Sequence, residues 1–409
     1  MVSSKQLSWL LWAVSLVILP ASARIPKREE FSTEEIVEGD ALSTLASLAY
    51  NTTVPSVSAK ARRTFGGTCH AGNLRVRREW RTLSKAERKS YVAAVKCLRT
   101  KPSLLAAGVA PGSKSIFDDF VAVHLNQTLF IHLTGSFLTW HRYFTYAYEQ
   151  QLRTRCGYTD TVPYWEWGLD VNNPAASPVF DGSDTSLGGN GQYFPHAGII
   201  LTEPLNPAAL IPLPPGSGGG CVTTGPFANM VVNIGAVALA QYGTAEAYAS
   251  PNPLGDGNQR CLKRDLNAGV AKRYTSFLNT TSLILLNNNV EKFQAIMQAD
   301  PRYVHGELGV HGGGHFTIGG DPGSDPFISP GDPAFFLHHS QIDRVYWIWQ
   351  MLDFNNRKNV YGTGAFMDIF PTPNVTVNDW IDISPLAPPI QIKNLMNTVG
   401  GSPLCYVYL

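Results

Sequence analysis

The stretch VHGGGHFTIGG, Val310 to Gly320, carries two opposed signals. His311 and His315 stand four residues apart, the spacing that puts two side chains on one face of a helical turn, and paired imidazoles at that spacing suggest a metal. Between them lie Gly312, Gly313 and Gly314, and each glycine inside a helix costs about 1 kcal/mol relative to alanine. Three therefore cost about 3 kcal/mol, so something beyond local propensity must stabilise this turn. Bound metal is strong enough, since structural metal sites contribute on the order of 10 kcal/mol.

The chain has ten histidines, and six sort into two sets. His124, His132 and His141 fall in two adjoining segments that read as helices, 117–132 and 137–153. His311, His315 and His339 fall in the later part. His70, His196 and His305 have no partner at ligand spacing and read as ordinary polar side chains in or near the core. A zinc protease of the HExxH type is excluded, because Gly312 stands where its glutamate must be. Imidazole-only sites suit zinc, copper, iron or nickel. Two sets of three histidines, without cysteine or carboxylate, point to two copper ions facing each other.

These motifs resemble a known family. HLTGSFLTWHR (132–142) with Glu149 is similar to the copper-A signature of tyrosinases and catechol oxidases, and DPAFFLHHSQID (332–343) resembles their copper-B signature. PYWEW (163–167) and CVTTGPF (221–227) are similar to further stretches of these type-3 copper proteins, so the resemblance runs from about Arg62 to Leu409. One departure is Thr145, where the pattern has an aliphatic residue. The resemblance implies that His124, His132 and His141 hold one copper and His311, His315 and His339 the other, with His338 beside the site or in the core. It implies a mainly α single domain whose central four-helix bundle holds the dicopper site, with long loops and little β structure. It also implies oxidation of catechols by dioxygen to ortho-quinones, with water as co-product.

The same resemblance assigns supporting roles. Glu307, four residues before His311, is expected to hold a water near the site as a base, and Gly312 stands where an asparagine would assist it. Without that amide the water is a weaker base, so catechol oxidation should exceed monophenol hydroxylation, and the open floor at Gly312 should admit substituted catechols and ortho-aminophenols. Asp343, four after His339, is expected to accept an imidazole N–H, ahead of an ion pair with Arg142 or Arg344. Phe316 is expected to wall the pocket, and Pro326 and Phe327 to gate it; plain packing is an equal reading for all three. Phe130 occupies the place where many relatives have a cysteine, so no Cys–His thioether is expected. CYVYL (405–409) resembles the Tyr-x-Tyr element closing the catalytic domain, and no lid domain is expected after it. An oxygen carrier with the same copper pair is the rival reading, and a metal-free disulfide-bonded binding protein the third.

The rest of the chain sets the context. Residues 1–23 have Lys5, an apolar run from Leu7 to Leu19 and small residues at Ala21 and Ala23, which reads as a secretory signal cleaved after Ala23. Lys27-Arg28 reads equally as a dibasic processing site or an exposed charge pair, within an N-terminal segment (24–60) expected to pack on the main body (61–409). Six cysteines, with no CxxC pair, suggest three disulfides in an oxidising compartment, with the pairing open. Asn51, Asn126, Asn279 and Asn374 lie in glycosylation sequons. A net charge of +1 offers no basic field for nucleic acid and no polybasic patch for lipid, and the resemblance implies small phenolic molecules as partners. Ser84 with Glu87 reads as a capping box opening a helix over 83–101, 283–298 contains a helix stopped by ADPR, and Asp332-Pro333 reads as the start of a helix over 332–354.

Overall fold

The computed structural model describes residues 25–57 and 69–409. The expected signal and its cleavage point after Ala23 lie outside the described residues, as do Arg62 and the 60/61 boundary. Ten α-helices are described: α1 (Thr33–Glu38), α2 (Asp40–Thr53), α3 (Lys85–Leu98), α4 (Ile116–Ile131), α5 (Phe137–Cys156), α6 (Ala268–Tyr274), α7 (Phe277–Leu286), α8 (Val290–Gln298), α9 (Gly309–Ile318) and α10 (Ala334–Leu352). Strands are short and pair only two at a time.

Local chemistry sets the helix ends. Ser84 Oγ accepts the Glu87 N–H while Glu87 Oε2 accepts the Ser84 N–H, the reciprocal capping pair read from the sequence. Ser32 and Glu35 do the same for α1. The 283–298 segment divides into α7 and α8, because Asn289 caps a new helix by accepting the Lys292 N–H. Asp332 accepts the Ala334 N–H at 2.8 Å, so α10 starts one residue later than expected, and its carboxylate also binds Arg264. Leu42, Leu45 and Ala49 of α2 join the main core, so the described part of the N-terminal segment packs on the body as expected.

The helices α4, α5, α9 and α10 make the central bundle, and each carries histidine. Nearly every residue of α10 is buried, on all sides and not only along the stripe Phe336, Ile342, Val345, Tyr346 and Trp349. A helix apolar or satisfied all round is a central element. Between α5 and α10 sits a buried charge cluster. Asp343 accepts from Arg142 Nε and from the hydroxyls of Tyr406 and Tyr408, each at 2.6 Å, and from Arg77 at 3.4 Å. Burial works to raise the Asp343 pKa, but the two guanidiniums and two hydroxyls win and hold it below the usual carboxylate range. Arg77 and the two tyrosines come from strands Arg75–Arg77 and Tyr406–Tyr408, which pair in parallel.

The region 191–261 holds most of the described strands. It contains several two-stranded ladders, among them the hairpin Ile199–Glu203 with Asn206–Leu213. The disulfides are Cys69–Cys405, Cys97–Cys156 and Cys221–Cys261, and no cysteine is free among the described residues. The second fastens α3 to α5. No described helix is long and apolar enough to cross a membrane.

The three glycines now separate. A Cβ at Gly313 would lie 2.4 Å from Tyr274 Cβ, and one at Gly314 would lie 2.1 Å from His338 Cε1. A Cβ at Gly312 would meet only Leu308, at 3.3 Å. Glycine at 313 and 314 is thus what lets α9 approach α6 and α10. Gly314→Ala should therefore cost stability by overpacking, about 1–3 kcal/mol, and lower the melting temperature, while Gly312→Ala should leave it nearly unchanged. Thermal unfolding of the two variants beside wild type checks this; equal melting temperatures would remove the packing account of Gly314.

Candidate metal centre

His124 lies midway along α4, His132 just past its end and His141 in the first turns of α5. The chain leaves the helix at His132 (φ −116°) and reverses through Leu133, which takes a left-handed φ of 51°. That turn folds His132 back beside His124. One ring nitrogen from each of the three lies within 4.8 Å of the others, and all three side chains are buried.

Main-chain carbonyls aim these rings. Nδ1 of His124 lies 2.8 Å from Phe327 O, Nδ1 of His132 3.1 Å from Thr128 O and Nδ1 of His141 2.9 Å from Phe137 O. Each Nδ1 therefore donates to a carbonyl, which leaves the Nε2 lone pair for another partner. Burial, together with neighbouring imidazoles for His124 and His141, keeps all three pKa values low, that of His132 at about 4. Neutral imidazole is the form a metal binds.

The second group comprises His311 and His315 on α9 and His338 and His339 on α10, again with one ring nitrogen of each within 4.8 Å of the rest. Burial and the adjoining rings depress the pKa of His311, His315 and His339, and burial holds His338 at about 3. The two groups face each other: the His141 and His339 rings stack at 4.6 Å, and His132 and His311 at 5.7 Å. The seven rings come from four helices and one helix end.

The donor set fits soft-to-borderline metal. Nε2 of His124, His141 and His311 are buried with no hydrogen-bond partner, which is costly unless something else binds them. Nε2 of His315 and His339 lie 3.1 Å apart. Two nitrogens bound tetrahedrally at about 2.0 Å from one metal would be roughly 3.3 Å apart, so this spacing suits a shared ion.

Several expected neighbours sit elsewhere. Glu307 is half exposed, its carboxylate 3.6 Å from Arg273, and it joins neither histidine group, which corrects its reading as the holder of a catalytic water. The reason is local: α9 begins only at Gly309, which has a left-handed φ of 61°, so the four-residue helical spacing does not extend back to Glu307. Asp343 accepts from arginines and tyrosines and from no imidazole, so its ion pair with Arg142 is correct and the histidine role is not. Two buried guanidiniums attract a carboxylate more strongly than a neutral imidazole can. Phe316 contacts none of the histidine rings at stacking distance; it lines a separate cavity with Ile199 and Leu213. Pro326 is exposed, and Phe327 packs partly on Val121, Ile234 and Ile328 while its carbonyl holds His124.

The rings that do wall the centre were missed. Phe335 packs on His124, His315 and His339, and Phe137 on His132, His141 and His311. Trp140 adds contacts to His124 and His141. A signal existed: Phe137 and Phe335 each stand four residues before a histidine on the same helix. All six cysteines are in disulfides, so no thioether to His132 forms. Phe130 packs instead on Phe370. Of the remaining histidines, His305 pairs with Glu203 and His196 approaches Asp265 at 3.4 Å.

Comparison with known proteins agrees with this geometry. Residues 114–352 match the family model described as the common central domain of tyrosinase. The chain is 40% identical over 340 residues to tyrosinase P of Aspergillus terreus, covering 81% of this chain and 91% of that protein. It is 35% identical to the N-acetyl-6-hydroxytryptophan oxidase ivoB of Emericella nidulans, covering 90% and 99%. A solved structure of a polyphenol oxidase point mutant from Thermothelomyces thermophila superposes with a TM-score of 0.84 at 42% identity, covering 92% of this chain and all of that one.

Two variants probe the second group. His339→Ala should lower copper in loaded protein from about two ions per chain to about one, since it removes from the second group the Nε2 that converges with that of His315. His338→Ala should keep both. Metal content after gel filtration decides; loss of copper from the His338 variant with retention in the other would reverse the assignment. Glu307→Gln should leave turnover within about twofold of wild type, because an exposed carboxylate paired to Arg273 is worth little to a buried centre.

Proposed function

This chain belongs to the tyrosinase family, and we propose that it uses dioxygen to oxidise catechols to ortho-quinones, two catechols per dioxygen, with two waters as co-product. The observation that carries the proposal is the pair of facing histidine groups, in which the buried Nε2 atoms of His124, His141 and His311 have no protein partner and those of His315 and His339 converge to 3.1 Å. His124, His132 and His141 would hold one copper and His311, His315 and His339 the other, and the copper pair when bound supplies the electron transfer between substrate and dioxygen.

The chain's own residues do the rest. The carbonyls of Thr128, Phe137 and Phe327 fix three ring orientations in advance. Phe137, Trp140 and Phe335 keep water from the rings on three sides. His311 and His315 remain partly accessible, which favours approach of substrate along α9.

The preference for catechols rests on what is missing near those two residues. A monophenol must lose its proton before its oxygen can bind, and a positioned base speeds that step. No carboxylate shares either histidine group among the described residues, and Gly312 offers no amide. A catechol is the stronger acid and has a second oxygen, so it needs less help. The oxidase ivoB, named for N-acetyl-6-hydroxytryptophan, supports a substituted hydroxyaryl substrate, and ortho-aminophenols belong to the same proposal. Secretion is proposed from residues 1–23 and from the three disulfides, which persist in oxidising compartments.

Initial rates on matched phenols, catechols and ortho-aminophenols test the reading. Wild type should oxidise catechols at least about 100-fold faster than it hydroxylates the corresponding phenols, the range a lost general base accounts for. Gly312→Asn supplies an amide that can hold a water beside His311 without Glu307, so it should raise the phenol rate; the added Cβ would meet only Leu308, at 3.3 Å. Comparable wild-type rates on both classes would defeat the argument from Gly312. An Asn variant that binds two coppers yet gains no phenol activity would defeat the account through a water base. Reversible oxygen binding without turnover would favour the carrier reading.

A further inference from the structure

A cavity of about 360 Å³, lined by none of the seven grouped histidines, lies between the ladders of 191–261 and the end of α9. Its apolar wall includes Phe194, Leu213, Leu239, Tyr248 and Phe316. Phe194 and Tyr248 are exposed rings, 39% and 52% accessible, and they line the cavity without being covered. The volume falls in the range of small-molecule sites.

The polar groups of the wall are almost all committed. Arg260 binds Asp321 through two contacts of 2.6 Å and gives its remaining nitrogen to Ile234 O and Asn258 O. Asp265 accepts from the Gly216 and Gly218 N–H groups and faces His196 at 3.4 Å. Asn267 bridges Val270 N–H and Pro214 O, Gln241 donates to Leu239 O, and Ser324 to Gly320 O. Two donors are left. The Lys263 ammonium has no hydrogen bond or ion pair, and the Tyr242 hydroxyl has no hydrogen bond, among the described residues. Tyr242 stays protonated, because burial and the nearby Asp265 and Asp321 raise its pKa. Its ring packs at a tilt on His196, centroids 4.0 Å apart, and Gly219, with φ 103°, leaves room for the Phe194 ring and the Tyr242 hydroxyl that a Cβ would meet at 2.7 and 3.2 Å. The cavity is therefore apolar and aromatic, with each buried acid already hydrogen-bonded and with one uncommitted cation and one uncommitted hydroxyl among its lining residues.

We propose that this cavity binds a small aromatic carboxylate, with the ring against Phe194, Tyr248 and Phe316 and the carboxylate taken by Lys263 and Tyr242. No metal takes part in that contact. Phe316 follows His315 directly in the chain, so the carboxylate belongs either to the far end of a phenolic substrate or to a separate molecule; the chemistry is the same.

Calorimetric titration of copper-loaded protein with 2-naphthoate tests the site, with naphthalene-2-carboxamide as the neutral control. Naphthoate should bind, and the amide should bind roughly tenfold or more weakly, as for loss of a charged hydrogen bond. Lys263→Met should weaken naphthoate to the level of the amide, Lys263→Arg should restore it, and copper content should not change in either. Saturating azide, which occupies the metals, should leave naphthoate binding intact. Displacement by azide, equal affinity for acid and amide, or indifference to Lys263→Met would each overturn the proposal. Kinetics then separate the sources. If the carboxylate is the substrate's own, Lys263→Met raises KM for a carboxylated catechol and not for 4-methylcatechol. If it is a separate molecule, both KM values hold while naphthoate affinity falls. These binding readouts do not need turnover, so they stand or fall apart from the proposed reaction.

Discussion

One buried carboxylate fixes how the two halves of the centre meet. Asp343 is four residues after His339 on α10, and Arg142, which it binds at 2.6 Å, directly follows His141 on α5. The ion pair therefore sets the register of the two helices within one turn of the stacked His141 and His339 rings. Arg77 and the hydroxyls of Tyr406 and Tyr408 complete the shell, so both strands that flank the domain report to the same atom pair. An isolated ion pair of this burial is not in itself a large source of stability, because desolvation offsets the attraction. What it provides is uniqueness: any slip of α5 against α10 would strand a charge, which costs about 3–5 kcal/mol.

The imidazoles depend on that register because their own bonds are to the main chain. Carbonyls one helical turn earlier, Thr128 for His132 and Phe137 for His141, hold Nδ1. Such bonds orient a ring relative to its own helix but cannot bring two helices together. Packing does that, through Gly313 against Tyr274, Gly314 against His338, and the aromatic wall of Phe137, Trp140 and Phe335. Gly314 and the buried His338 are two sides of one contact. A centre with several unpartnered nitrogens is thus enclosed by groups that ask nothing of those nitrogens.

What could be read in the sequence was what local spacing governs. The capping pair Ser84–Glu87, the helical run from Ala334, and the division of six histidines into two sets all follow from neighbours a few residues apart. What could not be read depends on where the chain turns or on charges distant in sequence. The resemblance places Glu307 four residues before His311, but the backbone is left-handed at Gly309 and the helix does not reach back to it. Asp343 was assigned to an imidazole because Arg77, 266 residues away, is invisible in its neighbourhood. The hairpin at 199–213 carries Pro204, Pro207 and Pro212, which masks a strand in any reading from composition. The aromatic wall was legible in principle, at four-residue spacing from the histidines, but was hidden among many equally apolar positions.

The bond between Cys69 and Cys405 spans 336 residues and closes beside the paired strands Arg75–Arg77 and Tyr406–Tyr408. In topological terms the enzyme body is a ring. Closing so long a loop removes about 6 kcal/mol of chain entropy from the unfolded state in the usual polymer account. It also changes what a cut means. A single peptide bond broken anywhere in the ring, such as at the exposed Leu205 in the hairpin turn, opens the circle but releases no piece, and the two new ends stay joined through the sulfur bridge. Damage of that kind would add one water and shed no fragment until the protein meets a reductant, which lets such a molecule persist where proteases are present and thiols are not.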